Sequence, residues 1–134
     1  MGNSRIEGRF KGKGILFVGF QDETLAEIAE AISLEGGKLI FTGNGSQALD
    51  RISQAKDSGK DIHLIIMDYP LLEISKVEML TEMLIRDINI PLLVIFEQGE
   101  NKYLENFSSK FSSGHILKPF TIEQFINRVA DFVL

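Results

Sequence analysis

Five short apolar segments recur along the chain, and a segment whose apolar residues have helical spacing follows each of them. Runs that are apolar at nearly every position are typical of strands buried on both faces. Alternation of such strands with helices predicts a parallel sheet with helices on both faces, because right-handed crossovers place them there. The five predicted strands are Ile15–Val18, Leu39–Phe41, Ile62–Met67, Leu92–Phe96 and His115–Leu117.

The helical segments have recognisable start and stop signals. The first helix begins after the N-cap residue Asp22 and ends at Gly36-Gly37, and the last begins after Thr121. Five strands and five helices favour a doubly wound α/β sheet of strand order 2-1-3-4-5, whose functional crevice lies at the carboxyl ends of the strands. The three helices between the first and the last are predicted around Ala48–Ala55, Val77–Leu84 and Asn101–Phe111.

Composition excludes several classes of function. The chain has 134 residues, enough for one domain, and contains no cysteine, which excludes disulfides, cysteine-bound metals and thiol catalysis. A formal charge of −5 argues against a nucleic-acid partner. No apolar run approaches the roughly 20 residues of a membrane span, and no secretion signal opens the chain. We therefore expect a cytoplasmic protein with neither a nucleic-acid nor a membrane partner.

The first thirteen residues differ in character from the rest, because they are polar, basic and rich in glycine. Ile6-Glu7-Gly8-Arg9 spells a common engineered protease-cleavage site, so we interpret Met1–Arg9 as a remnant of an expression vector. A natural flexible tail is the alternative. Either interpretation predicts a tail over residues 1–13 and a domain that covers residues 14–134.

Two charged residues are predicted to lie at the carboxyl ends of strands. Asp68 follows the third strand, where a carboxylate can act as a nucleophile, a metal ligand or a cap for the next turn. Lys118, followed by Pro119, comes directly after the fifth strand at the same end of the sheet. A lysine facing Asp68 could neutralise it or hold a phosphoryl oxygen, whereas the alternative is a solvated surface lysine.

The most informative motifs are four short stretches: Thr42–Leu49, Ile65–Asp68, Ile90–Ile95 and Gly114–Phe120. Together and in this order, they resemble the receiver domains of two-component response regulators. The resemblance covers roughly Gly14–Leu134 and implies a flavodoxin-like fold, in which Asp68 corresponds to the phospho-accepting aspartate and Lys118 to the phosphate-binding lysine. It also implies a cis peptide bond before Pro119.

The positions of the acidic pair that holds Mg²⁺ in this family carry no acid here. In register with the family's pattern, the pair falls on Gly19 and Phe20, and neither side chain offers the hard oxygen ligands that Mg²⁺ prefers. Asp22 and Glu23 come later and are expected to begin the first helix, although a small insertion could return Asp22 to the pocket. We therefore expect no cofactor and at most weak binding of Mg²⁺ through Asp68.

The switch positions depart from the family as well. Phe96 stands where the family has a threonine or serine, Glu97 stands at the following, usually small, position, and His115 stands at the aromatic switch position. We expect Phe96 to fill the space of a phosphoryl group; the alternative turns it outward beside His115. In the loop after Asp68, Pro70 and Lys76 also break the usual proline and glycine spacing.

Three functions follow as hypotheses. The first is an atypical receiver without enzymatic activity that binds a histidine kinase or output protein, or forms a homodimer, through the fourth helix, fifth strand and fifth helix. Tyr103, Phe107 and Phe111 could contribute to this surface, although two of these three are expected to face the core. The second is a phospho-accepting receiver with unusual metal binding through Asp68. The third, a flavin- or nucleotide-binding domain, lacks a glycine-rich phosphate fingerprint after the first strand.

Overall fold

All five predicted strands form one parallel sheet in the order β2-β1-β3-β4-β5, which confirms the predicted doubly wound topology. The computed structural model describes residues 8–19, 22–68, 74–97 and 114–134, with the backbone alone for residues 74–76. The strands are β1 (Gly14–Val18), β2 (Lys38–Thr42), β3 (Leu64–Asp68), β4 (Leu92–Phe96) and β5 (Gly114–Leu117).

Four helices lie within the described residues, and the predicted helix over residues 101–111 falls outside them. The predicted caps are confirmed: Asp22 accepts a hydrogen bond from the Leu25 amide, and Thr121 forms a capping box with Gln124. No helix in the described ranges is long and apolar enough to cross a membrane. The helices are α1 (Glu23–Leu34), α2 (Gly45–Asp57), α3 (Ile74–Ile85) and α4 (Ile122–Val133).

The core consists of two apolar layers, one on each face of the sheet. Successive strand side chains point to opposite faces, so β1, β3 and β4 contribute to both layers. One layer packs against α2 and α3 and contains Met67, Val94 and Phe96. The other packs against α1 and α4 and contains Phe17 and Ile66. Burial on both faces explains why the strands read as continuous apolar runs.

Residues 8–13 are part of the folded domain, so the prediction of a flexible tail up to Lys13 is wrong for this segment. The Phe10 side chain is fully buried in the layer beneath α1 and α4. Its amide donates to the Glu35 carbonyl at 2.8 Å, and the Arg9 guanidinium pairs with the Glu35 carboxylate at 3.0 Å. An aromatic ring removed from water contributes roughly 1.5–3 kcal/mol, which is enough to hold a short segment in place. Residues 1–7 lie outside the described residues.

Candidate functional site

Asp68 ends β3 at the carboxyl edge of the sheet, next to Ile95 of β4. Its side chain is only 10% exposed because β3 is the central strand of the sheet. Lys118 follows β5 at the same edge, and its Nζ lies 3.9 Å from Asp68 Oδ1. The Lys118 amide donates to the Phe96 carbonyl at 2.9 Å, and the Lys118–Pro119 peptide bond is cis. The structure thus brings the two charged residues of the predicted crevice together.

Glu97 supplies a second carboxylate to the same lysine. Its Oε1 lies 3.9 Å from Lys118 Nζ, and its side chain is largely exposed. Lys118 therefore lies between one buried and one exposed carboxylate, at distances of ion pairing rather than direct hydrogen bonding. From the sequence, Glu97 stands at a usually small position, and no ion pair is predicted for it. Its position directly after the fourth strand, at the edge that also receives Lys118, was the signal that it could pair with this lysine.

Gly19 packs directly against the aspartate. Its amide donates to the Thr42 carbonyl at 3.1 Å, which continues the pairing of β1 with β2. A Cβ at this position would lie 2.8 Å from Asp68 Cβ and 2.9 Å from a ring carbon of Phe17. Since non-bonded carbon atoms approach comfortably only to about 3.5 Å, the side chains of Asp68 and Phe17 leave no room for a carboxylate side chain here. Phe20 lies outside the described residues.

The acids that could have compensated begin α1 instead. Asp22 Oδ1 accepts a hydrogen bond from the Leu25 amide at 2.9 Å, and Glu23 is the exposed first residue of the helix. The structure therefore favours the capping role of Asp22 over its return to the pocket.

The described residues around Asp68 do not fit a Mg²⁺ ion. The metal requires near-octahedral oxygen ligands, usually from one or two carboxylates and several waters. Here the Lys118 ammonium lies 3.9 Å from the Asp68 carboxylate, and the position of Gly19 leaves no room for the side chain of a second acid. Across the described ranges, no three acidic or histidine side chains group so that they could hold a metal ion.

Phe96 occupies the switch position at the end of β4 and points into the core. Its side chain is 1% exposed and belongs to the layer that contains Met67 and Val94. Its ring meets the edge of the His115 ring, with centroids 6.4 Å apart and planes at 80°. The outward-turned alternative for Phe96 does not agree with this burial. His115 itself is exposed, and its carbonyl accepts from Arg128 Nε at 3.3 Å.

The predicted partner surface is described only in part. In β5 and α4, Leu117 is 40% exposed and Arg128 pairs with Asp131. Lys76 belongs to the first turn of α3. The other residues invoked for this surface and for the loop after Asp68 fall outside the described residues: Pro70, Tyr103, Phe107 and Phe111.

Several solved structures that match the fold of this chain are receiver domains. A response regulator receiver domain from Clostridium thermocellum matches with a TM-score of 0.74 and 14% identity, over 90% of this chain and 94% of that chain. The NtrX receiver domain from Brucella abortus has a TM-score of 0.73, 19% identity and coverages of 89% and 97%. Chemotaxis protein CheY4 from Vibrio cholerae has a TM-score of 0.73, 16% identity and coverages of 91% and 98%.

The sequence matches no protein-family model and no curated protein. At identities of 14–19%, the structural matches show that this chain has the receiver fold. What the fold does here depends on the residues at its crevice.

Proposed function

We propose that the chain is a receiver-like signalling module of a two-component phosphorelay system that acts by binding other proteins, with poor or no Mg²⁺-dependent phosphorylation of Asp68. The observation that carries this proposal is the closeness of Gly19 to Asp68. A Cβ added at Gly19 would lie 2.8 Å from Asp68 Cβ, so the position of a metal-binding acid has no room for a side chain. The receiver fold of the chain supports the signalling role, and its departures at the crevice support the atypical chemistry.

Charge is the first physical reason. Transfer of a phosphoryl group to a carboxylate brings two anions together, and this needs positive charge that is fixed in advance. Lys118 Nζ lies 3.9 Å from the Asp68 carboxylate and also 3.9 Å from the Glu97 carboxylate. The second carboxylate offsets part of the positive charge that Lys118 would offer to an incoming phosphoryl group.

Space is the second reason. A hydroxyl at the end of the fourth strand would bond the phosphoryl group in a typical receiver, whereas Phe96 fills this position with a buried aromatic ring. Burial of a phenylalanine contributes roughly 1.5–3 kcal/mol to folding, so movement of the ring out of this layer would cost a similar free energy. We expect the loop after β4 to keep one arrangement whether or not a phosphodonor is present.

The partners we propose are a histidine kinase or an output protein in the cytoplasm. They would bind through β5, α4 and the segment over residues 101–111. A second copy of the chain could bind the same surface and form a homodimer. Leu117, which is 40% exposed on β5, offers an apolar contact within the described part of that surface. Binding of proteins, rather than turnover of a substrate, is the activity that this surface supports.

The decisive experiment measures the intact mass of the protein after incubation with Mg²⁺ and acetyl phosphate. We expect no stable gain of a phosphoryl mass, because Glu97 offsets part of the charge of Lys118 and the position of Gly19 leaves no room for a metal-binding acid. A receiver domain with a complete acidic pair serves as the positive control. A near-stoichiometric phosphoryl adduct that disappears in Asp68→Asn would overturn the proposal.

The second candidate, a working phospho-receiver, is favoured by one observation: Asp68 and Lys118 lie together at the crevice, 3.9 Å apart. It predicts that Mg²⁺ raises the melting temperature, since a ligand that binds only the folded state stabilises it by about 2.7 kcal/mol at a hundredfold excess over its dissociation constant. Our proposal predicts no clear shift at low-millimolar Mg²⁺. A shift that Asp68→Asn abolishes would favour the second candidate.

A further inference from the structure

A groove of about 660 Å³ opens at the amino ends of β3 and β4, beside the carboxyl ends of α2 and α3. Ile62 and His63, which precede β3, line it together with Ile90 and Pro91, which precede β4. A smaller cavity of about 170 Å³ adjoins it at the starts of β1 and β2 and shares part of its lining. Since parallel strands place all their amino ends at one edge, both cavities lie at the end of the sheet opposite Asp68.

The floor of the larger cavity is apolar. Ile52 and Ile62 belong to the buried layer under α2 and α3, while Ile88, Ile90 and Pro91 are only partly buried. The exposed part of these side chains is an apolar surface that a bound ligand would remove from water. Burial of such surface contributes about 25 cal/mol per Å², so apolar groups of a ligand would bind here.

The rim of the two cavities is basic although the protein is acidic. Five basic and two acidic side chains line the cavities, whereas the rest of the chain carries nine basic and seventeen acidic residues. Such segregation gives this end of the molecule a positive potential within a negative protein. The seven lining charges are Lys38, Arg51, Lys56, Lys60, Arg86, Asp61 and Asp87.

Four of these five cations are unpaired in the structure. Arg86 pairs with Glu82 at 3.4 Å. Lys38, Arg51, Lys56 and Lys60 are exposed, and within the described part of the chain none of them forms an ion pair within 4.0 Å. Lys56 lines the larger groove, and the other three line the smaller cavity that adjoins it. Isolated lysines on a surface are ordinary, but four unpaired cations grouped beside one apolar floor form a surface complementary to an anionic ligand with apolar groups.

We propose that this amino-end groove binds an acidic segment of a partner protein that places apolar side chains on the isoleucine floor. An amphipathic acidic helix has this combination, with one apolar face for the floor and carboxylates for the cationic rim. A nucleic acid would use the cations but leave the floor uncovered. An extended polyanion would also meet the acidic remainder of the chain, whereas a short segment stays within the basic patch. The inference goes beyond the proposed function and does not rest on the chemistry at Asp68.

The probe for this proposal is a labelled synthetic peptide helix with leucines on one face and glutamates on the other. We expect saturable binding by fluorescence anisotropy, weakened by added salt because the rim charges are exposed. In amide-resolved NMR titrations, the signals of residues 61–63 and 86–90 should shift while that of Asp68 stays in place. Shifts confined to any other surface would overturn the proposal.

Charge-reversal variants test the rim. The triple variant Arg51→Glu, Lys56→Glu, Lys60→Glu should weaken peptide binding about tenfold or more, because attraction becomes repulsion at three positions. Lys11→Glu is the matched control, since Lys11 is exposed and lines neither cavity, and it should change affinity by less than about twofold. Equal effects of the triple variant and the control would contradict a docking role for the groove.

Changes in the peptide test the floor without any risk to the folding of the protein. Replacement of the leucines by serine should weaken binding about tenfold or more, as should replacement of the glutamates by glutamine. A single-stranded oligonucleotide and vesicles with phosphatidylserine should bind less tightly than the peptide. The proposal fails if either of them binds more tightly, if the peptide does not bind, or if the triple variant disrupts a dimer of the chain instead.

Discussion

The two ends of the sheet treat charge in opposite ways. At the carboxyl end, the buried Asp68 carboxylate lies 3.9 Å from Lys118, which is shared with Glu97. At the amino end, four cations line the apolar groove or the cavity that adjoins it, and none of them forms an ion pair with a described residue. A buried charge is costly unless an opposite charge compensates it. At the carboxyl end, Lys118 compensates Asp68, so this ion pair has the character of a structural contact. Exposed and unpaired charges are stable in water and remain available to a ligand.

The apolar neighbours of these charges differ in the same sense. Phe96, the last residue of β4, has a ring that is 1% exposed and lies in the layer under α2 and α3. Ile88 and Ile90 leave the floor of the amino end partly open. Among the described residues, the charged and aromatic side chains at the carboxyl end are paired or buried, and the amino end has a partly open apolar surface. A fold therefore indicates where to look for a site, while charge pairing and packing decide whether a ligand can enter.

The largest loss of stability is expected when Phe96, at the carboxyl end of β4, is replaced by a small residue. Phe96→Thr removes a buried ring and places a hydroxyl in an apolar layer, so it should lower the free energy of unfolding by about 3 kcal/mol. Urea denaturation measures the loss. Leu84→Thr, at a side chain that is 61% exposed, is the control and should cost less than about 1 kcal/mol. Equal costs at the two positions would show that Phe96 does not fill the crevice.

A smaller loss is expected when an acid is restored beside Asp68. Gly19→Asp should destabilise the fold by about 2 kcal/mol, because its Cβ would lie 2.8 Å from Asp68 Cβ. Gly43→Asp is the matched control, since a Cβ there meets no described atom closer than 3.9 Å and its cost should stay below about 0.5 kcal/mol. Thermal or urea unfolding compares them. If Gly19→Asp proves neutral and gains tight Mg²⁺ binding, the crevice is not closed to metal.

The smallest effect compares one lysine from each end. Lys118→Met keeps the length of the side chain but removes the cation nearest the buried carboxylate, so it should cost about 1–2 kcal/mol. Lys56→Met removes an exposed and unpaired cation, and its cost should remain below about 0.5 kcal/mol. Chemical denaturation of both variants at low salt provides the measurement. The contrast between the two ends would be lost if Lys56→Met were the more costly change.

Local signals in the sequence were sufficient for most of the fold. Continuous apolar runs gave the strands because each is buried on both faces, and Asp22 and Thr121 marked helix starts because capping depends on neighbouring residues only. The packing of Phe10 was missed because one aromatic residue in a glycine-rich basic segment has no periodicity to indicate its burial. Its isolation among polar residues was the available signal.

The candidate sites were predictable to different degrees. Asp68 and Lys118 follow strands whose carboxyl ends share one edge, so their proximity follows from the topology. The closeness of Gly19 to Asp68 depends on the backbone path after β1, for which the sequence has no motif. The amino-end groove combines α2 with the segments that lead into β3 and β4. Residues so far apart along the chain meet only through tertiary packing.

The anchoring of residues 8–13 has a consequence for proteolysis. The tetrapeptide Ile6-Glu7-Gly8-Arg9 directs cleavage to the Arg9–Phe10 bond, and a protease binds its substrate in an extended form. In the folded protein, Glu35 holds the Arg9 side chain and the Phe10 amide, and the Phe10 ring lies within the core. Cleavage therefore requires the segment to detach first, which makes the rate of cutting at this bond a measure of local unfolding at the start of the domain.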